Sequence, residues 1–100
     1  MKKTYQMYFG RNTPDGYVTD QQWDSFQDVI SMSFAGYTVQ DVDGAWKGDP
    51  ERTKLVTVNT KYQDKVQDVC DAYISAFNQD AVGLRVSEPM RFVTRVCEVA

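Results

Sequence analysis

The feature that most constrains the fold is the run Leu55-Val56-Thr57-Val58, in which every residue is apolar or β-branched. Such a run is typical of a β-strand that is covered on both faces or paired at both edges. A strand of this kind needs partners, so the neighbouring segments are expected to contribute further strands to the same sheet. The polar segment 44–54 leads into this strand and carries an aromatic residue and several charges.

Two helices are predicted from capping signals and from hydrophobic periodicity. Thr19 is a good N-cap residue, and Gln22 is in position to complete a capping box. Both helices turn an apolar stripe inward. The predicted inward residues are Trp23, Phe26, Val29, Ile30 and Phe34 in the first helix, and Val66, Val69, Cys70, Tyr73, Ile74 and Phe77 in the second, which begins near 62–63.

Alternating and β-branched segments predict the strands. They cover residues 5–9, 37–42, 52–60 and 81–86, and residues 92–99 are extended again, as an edge strand or a segment that crosses to a neighbouring subunit. The alternation slips near Asp41, which predicts a bulge or a strand end there. A short polar turn over 47–50 predicts an antiparallel hairpin.

The order strand, helix, strand, strand, helix, strand predicts an α+β, ferredoxin-like βαββαβ domain spanning residues 1–100. Its antiparallel sheet would carry both helices on one face, with an extended C-terminal segment. The opposite face would carry Tyr8 and remain uncovered. An apolar sheet face without a cover usually meets a partner, so we expect a homo-oligomer.

Composition excludes several classes of function. The chain has no histidine, which excludes a Ser-His-Asp or Cys-His nucleophile and a His-ligated zinc site. A net charge of −3 disfavours nucleic acid as a partner. The sequence shows neither an apolar run of membrane-spanning length nor a signal peptide, so a cytoplasmic protein is expected. Cys70 and Cys97 are expected to be reduced and buried, although a disulfide between them is compatible with the sequence.

Glu51 is the best candidate for a site residue because it immediately precedes the central strand. From there its carboxylate could point over the sheet edge towards Trp46 and Tyr8, and polar residues on rigid strand ends are where sites are often built. The other interpretation is a surface carboxylate paired with Arg52 or Lys54, which would contribute little.

Nearly the whole chain resembles a bacterial family of small domains of unknown function. The resemblance names no activity. It rests on Tyr8-Phe9-Gly10-Arg11, Pro14-Asp15-Gly16, Val18-Thr19, Trp23 through Phe26, Gly44-x-Trp46, Glu51-Arg52-x-Lys54, Ala72-Tyr73 and Phe77-x-Gln79.

A second resemblance concerns the order of elements and the segment Glu51-Arg52-Thr53-Lys54, which leads into a Val-rich strand followed by a long helix. In these respects the chain is similar to phage S-adenosylmethionine lyases, formerly called SAM hydrolases. That resemblance implies a ferredoxin-like homotrimer in the host cytoplasm with active sites between subunits. It also implies cleavage of S-adenosylmethionine into methylthioadenosine and homoserine lactone, which blunts host restriction.

The implied reaction suits a chain without histidine. The substrate's own carboxylate displaces a neutral thioether, so the protein supplies positioning and needs no base, metal or cofactor. By the resemblance Glu51 would bind the substrate ammonium, and Trp46, Tyr8, Tyr37 and Arg52 would be the substrate-binding residues. The family pairs its glutamate with a tyrosine on the preceding strand. Here Trp46 occupies the nearest aromatic position, so Tyr8 or Tyr37 would have to supply the tyrosine.

Two other functions are compatible with the same residues. One is a non-enzymatic phage or bacterial binding module that docks a host protein on its exposed sheet face. The other is a ligand-binding sensor domain without turnover. The lyase is distinguished from the binding module by whether Glu51, Trp46 and Tyr8 converge on one pocket.

Overall fold

The computed structural model of the protein describes residues 1–93, which form six strands and two α-helices. In chain order these are β1 (Lys3–Gly10), β2 (Asn12–Thr13), β3 (Gly16–Tyr17), α1 (Asp20–Ser33), β4 (Thr38–Trp46), β5 (Asp49–Thr60), α2 (Gln63–Phe77) and β6 (Gly83–Ser87). The predicted α+β class is therefore confirmed. Both helices also begin where the sequence predicts.

The main sheet has four antiparallel strands in the order β4-β5-β1-β6. Strand β5 lies between β4 and β1, so the prediction of a central strand at Leu55–Val58 is confirmed. A separate two-stranded sheet is formed by β2 and β3. It occupies the segment 11–18, where the residues Pro14-Asp15-Gly16 are a turn signal.

Both helices pack against one face of the main sheet. Side chains from β1, β5, α1 and α2 form a single buried cluster that includes Tyr5, Met7, Phe9, Val56, Val58, Trp23, Phe26, Ile30, Phe34, Val66, Val69, Cys70 and Tyr73. Five aromatic rings meet near its centre, and the centroids of Phe9 and Tyr73 are 4.7 Å apart. Aromatic pairs in such tilted and edge-on arrangements add to the stabilisation that comes from burial alone.

The start of α1 follows the predicted capping box. Gln22 N donates to the Thr19 hydroxyl, and Thr19 N donates to the Gln22 side chain. Two N–H groups at the helix end are thereby satisfied reciprocally. The predicted inward stripe of α1 is wrong at Val29, which is 39% exposed. Val29 lies about 100° around the helix from the buried Ile30 and falls outside the stripe that α2 and the sheet cover.

The predicted bulge near Asp41 is absent. Pairing between β4 and β5 runs without a break from Thr38↔Thr57 to Trp46↔Asp49. The hairpin closes over Lys47 and Gly48, with φ of 51° and 86°. Two central residues with positive φ match the twist of the flanking strands, so the register continues to the tip of the hairpin.

We call the face of the main sheet opposite the helices the open face. After β6 the chain turns across it, because Met90 N donates to Asn59 Oδ1 on β5, beyond β1. The residues of the predicted extended segment from 94 onwards, including Cys97, lie outside the described part of the chain. Within residues 1–93, neither helix has both the length and the apolar character needed to cross a membrane.

We predict that the protein loses stability as the pH rises from 9 to 11. Burial raises the pKa of the Cys70 thiol from 9.0 to about 11, so the folded state keeps a proton that the unfolded chain releases. Stability from this group is complete below pH 9 and declines above it, by at most about 1.4 kcal/mol per pH unit. Urea unfolding of wild type and Cys70→Ala across this range should give a shallower pH slope for the variant. Equal slopes would contradict the assignment.

Candidate functional site

A groove of about 880 Å³ lies on the open face at the end of the sheet where β1 finishes. We call it the sheet groove. Tyr8, Trp46 and Glu51 all line it, together with residues of the loop between α2 and β6. The structure therefore brings the three principal candidates together. They converge because residues 8, 46 and 51 occupy positions of the same parity on β1, β4 and β5.

The carboxylate of Glu51 lies directly over Gly10. A Cβ added to Gly10 would be 2.5 Å from Glu51 Cδ and from both carboxylate oxygens, so only glycine leaves this space free. The backbone N–H of Asn12 donates to Glu51 Oε2 at 3.1 Å. One oxygen of Glu51 is thus held by the main chain, and the other accepts no hydrogen bond from the described residues.

The rim of the sheet groove is closed by a contact between opposite edges of the sheet. Trp46 ends β4 at one edge, and Asp80 precedes β6 at the other. Trp46 Nε1 donates to Asp80 Oδ2 at 3.4 Å, and Lys47 Nζ reaches the same oxygen at 3.2 Å. The hydrogen bond from Lys47 and then that from Trp46 lower the pKa of Asp80, so this carboxylate is ionised at neutral pH.

Tyr8 forms part of the floor, between the neighbouring strands β5 and β6. Its cross-strand neighbours are Leu55 and Gly83. A Cβ on Gly83 would lie 3.2 Å from Tyr8 Cβ, so the glycine allows β6 to approach the tyrosine side chain closely. On the opposite side of the groove Gln79 Nε2 donates to the Asn12 carbonyl at 2.7 Å, which fixes the loop after α2 to the end of β1.

The lining of the sheet groove is negatively charged. Glu51 and Asp80 present carboxylates to it, and no lysine or arginine lines it within the described chain, although Lys47 pairs with Asp80 at the rim. Carboxylates beside two aromatic rings favour a cationic ligand, since the ring faces are also regions of negative potential. Among residues 1–93 no group of three or more histidine, cysteine, aspartate or glutamate side chains is arranged to hold a metal ion.

The aromatic core supports the site from the face of the sheet that carries the helices. The hydroxyl of Tyr73 donates to the Gly10 carbonyl at 2.7 Å, directly behind the Glu51 carboxylate. Burial raises the pKa of Tyr73 well above its ordinary value, and the charge of Glu51 raises it further, whereas Arg11 lowers it. The phenol therefore stays protonated and remains a donor to Gly10.

Two predicted binding residues do not share this site. Arg52 follows Glu51 on β5, so its side chain projects from the opposite face and lines a charged cleft beside Arg11 and Asp20. A neighbouring cleft at the end of the sheet is lined by both Arg52 and Glu51. Tyr37 lies at the far end of the sheet, where its hydroxyl is hydrogen-bonded to Ser31 and accepts from Gln27. Strand parity separates the first residue from Glu51, and the length of the β4–β5 hairpin separates the second.

The ion pair with Arg52 or Lys54 that the alternative interpretation of Glu51 predicts is not formed among the described residues. Among the described residues Lys54 pairs with Asp41 at 2.6 Å, and Arg52 points away from Glu51. The sequence analysis missed Gly10, Asn12 and Asp80. Gly10 could have been found from its position two residues after Tyr8 on the same strand face. Asp80 could not, because its place depends on the path of the chain after α2.

Comparison with known proteins gives one family match. The family model described as "Protein of unknown function (DUF3574)" matches residues 4–93. A search of curated proteins returned no match. The match covers every strand and helix of the described domain and supports the first of the two resemblances, to a family of unknown function. It lends no support to the resemblance to S-adenosylmethionine lyases.

We predict that Gly10→Ala displaces the Glu51 carboxylate and lowers the free energy of unfolding by no more than about 1 kcal/mol, because the end of this flexible side chain can move aside and the main loss is its hydrogen bond from Asn12. Chemical denaturation measures the loss. Gly44→Ala is the matched control, since a Cβ there would meet its nearest atoms at an ordinary 3.8 Å. The cost of Gly10→Ala should shrink in a Glu51→Ala background. An undiminished cost there would show that Gly10 accommodates something other than this carboxylate.

Proposed function

The chain belongs to the DUF3574 family of proteins of unknown function, and from that premise we propose that it binds a small organic cation in the sheet groove. The observation that carries the proposal is the lining of the groove: the carboxylates of Glu51 and Asp80, two aromatic rings and no basic side chain among the described residues. Its volume of about 880 Å³ suits an organic ligand, for which pockets of roughly 300–1,000 Å³ are usual.

Each part of such a ligand has a complementary group. The unshared oxygen of Glu51 can accept from an ammonium group, and a charged hydrogen bond in a half-buried site is stronger than a neutral one. Trp46, which is 47% exposed, presents a ring on which a planar group can stack or over which a cation can lie. The hydrogen bond from Trp46 to Asp80 sets the orientation of that ring.

The specific substrate we propose is S-adenosylmethionine, and the specific activity is the lyase reaction. This substrate carries a sulfonium and an ammonium, and its adenine is a planar group for Trp46. One oxygen of its carboxylate forms a bond to Cγ while the bond from Cγ to sulfur breaks, and the electron pair leaves with sulfur. The products are homoserine lactone and neutral methylthioadenosine, and no proton is transferred.

In this proposal Glu51 grips the substrate ammonium, and Trp46 and Tyr8 line the pocket. Tyr8, which lies in the same groove as Glu51, takes the position proposed for the tyrosine, and Tyr37 and Arg52 are left out. The protein would act by holding the methionine moiety bent and by excluding water. A homo-oligomer, with a trimer favoured, belongs to the proposal because a second copy could close the exposed side of the groove.

A ferredoxin-like classification is part of the same proposal. The sheet order β4-β5-β1-β6 and the placement of both helices on one face support it. The β2–β3 hairpin is then an insertion between the first strand and the first helix. Because this fold hosts unrelated functions, the proposed function depends on the groove and not on the fold.

The test measures turnover and binding separately. Purified protein is incubated with S-adenosylmethionine, and methylthioadenosine and homoserine lactone are followed by chromatography, while calorimetry gives the affinity. We expect product formation, and we expect Glu51→Gln to lower kcat/KM by about ten- to a hundredfold, because it removes one charged hydrogen bond. Glu88→Gln is the matched control, since Glu88 lies in the turn after β6, away from the groove.

The outcomes separate the candidate functions. Product that survives Glu51→Gln would overturn the role of Glu51 while keeping the enzyme. Glu51-dependent binding without product would overturn the lyase and support a sensor domain. The absence of both binding and product would overturn the proposal and favour the binding module that docks a protein on the open face. Sedimentation equilibrium of the same sample tests the oligomer.

A further inference from the structure

A second groove, of about 620 Å³, lies at the end of the sheet opposite to the sheet groove. Its lining comes from the start of β1, the loop after α1, the turn between β5 and α2, and the segment after β6. We call it the lysine groove because Lys2, Lys61 and Lys65 line it. Nothing in the proposed function uses it, and it shares no lining residue with the sheet groove.

The lysine groove is positively charged in a chain whose overall charge is negative. The chain has 14 acidic and 11 basic residues, yet no aspartate or glutamate lines this groove within the described residues. None of its three lysines forms a salt bridge with another described residue. Three lysines in one groove without a carboxylate give it a positive potential, which favours a bound anion.

Tyr62 holds two of the lysines in place. Lys65 Nζ lies 4.7 Å and Lys61 Nζ 5.4 Å from the centroid of the Tyr62 ring. Tyr62 is also the N-cap residue of α2, and no side chain caps that helix end. The first N–H groups of α2 add to the positive potential that the lysines create, and the carboxylate of Asp64 in the first turn offsets part of it.

The remaining lining is aromatic, apolar and hydroxyl-bearing. Phe34, Tyr37, Met90 and Phe92 contribute apolar surface, and Phe92 is 67% exposed. The hydroxyl of Tyr37 is fixed by its hydrogen bonds to Ser31 and Gln27, so its ring is held as one wall. An inorganic ion would leave this apolar surface in water, whereas an anion with an apolar body would cover it.

We propose that the lysine groove binds a small organic anion, in which a phosphate or carboxylate group is attached to an aromatic body. The head group lies between Lys61 and Lys65 near the start of α2, and the aromatic body lies against Tyr37 and Phe92. The lysine groove shares no lining residue with the sheet groove. The test of this proposal therefore does not depend on the outcome for the proposed function.

The test is a titration of ¹⁵N-labelled protein with 1-naphthyl phosphate, followed by backbone amide shifts. We expect saturable shifts at Tyr62 and Lys65 and none at Glu51. Inorganic phosphate and 1-naphthol, which each carry half of the probe's chemistry, should bind at least tenfold more weakly. Titration with the carboxylate 1-naphthoate identifies the preferred head group. If 1-naphthoate binds as tightly as 1-naphthyl phosphate, the groove accepts either anion, and if it binds more weakly, the groove prefers phosphate.

Charge-matched variants complete the test. Lys61→Gln and Lys65→Gln should each weaken binding of 1-naphthyl phosphate by roughly two- to fivefold, as expected for exposed charge pairs. Arg85→Gln removes the same charge from a residue of the edge strand β6 that does not line the groove and should leave the affinity unchanged. Absence of shifts at Tyr62 and Lys65, or equal weakening by all three variants, would overturn the proposal, because the second result would indicate only the net charge of the protein.

Discussion

The hydrogen bond from the Tyr73 hydroxyl to the Gly10 carbonyl joins the core of this protein to its surface site. Tyr73 is fully buried among Phe9, Phe26 and Phe77, and its ring can be seated there only because its one polar atom finds a partner. That partner is the backbone of the glycine on which the Glu51 carboxylate rests. The position of the Glu51 carboxylate on the open face thus depends on packing on the opposite face of the sheet.

Strand alternation distributes the charges of one short segment between separate surfaces. Glu51 and Thr53 face the sheet groove, whereas Arg52 and Lys54 face the side that carries the helices. Residues that are adjacent in the sequence of this strand therefore line different surfaces of the domain. The result is a domain with an acidic groove at one end of the sheet and a basic groove at the other, although its net charge is only −3.

Local sequence signals predicted the local structure well. The capping box at Thr19, the period of α2 and the alternation of β1 depend on residues that are close together in the chain, and the structure confirms each of them. The proximity of Glu51, Trp46 and Tyr8 was also predicted from local signals, because a hairpin next to a central strand places these residues at the same end of the sheet. The separation of Tyr37 was not, because it depends on the full length of β4.

Other features of the site required the tertiary structure. Asp80 reaches Trp46 only because the loop after α2 passes the tip of the β4–β5 hairpin. The lysine groove combines the start of the chain with residues 61, 65 and 92, so no local window contains it. The unbroken register past Asp41 was missed because a slip in hydrophobic alternation was taken for a slip in pairing.

The order of strands in the sheet also bears on how the sheet groove comes into being during folding. The β4–β5 hairpin closes through a two-residue turn, so it can form from local contacts alone and at little cost in loop entropy. The pairing of β1 with β6 joins opposite ends of the described chain and is the most distant contact in the sheet. Tyr8 and Gly83 meet only in that pairing, so the hairpin carrying Trp46 and Glu51 can exist before the groove does. A chain in which β6 has not yet joined the sheet therefore has no sheet groove, whatever contacts its β4–β5 hairpin has formed.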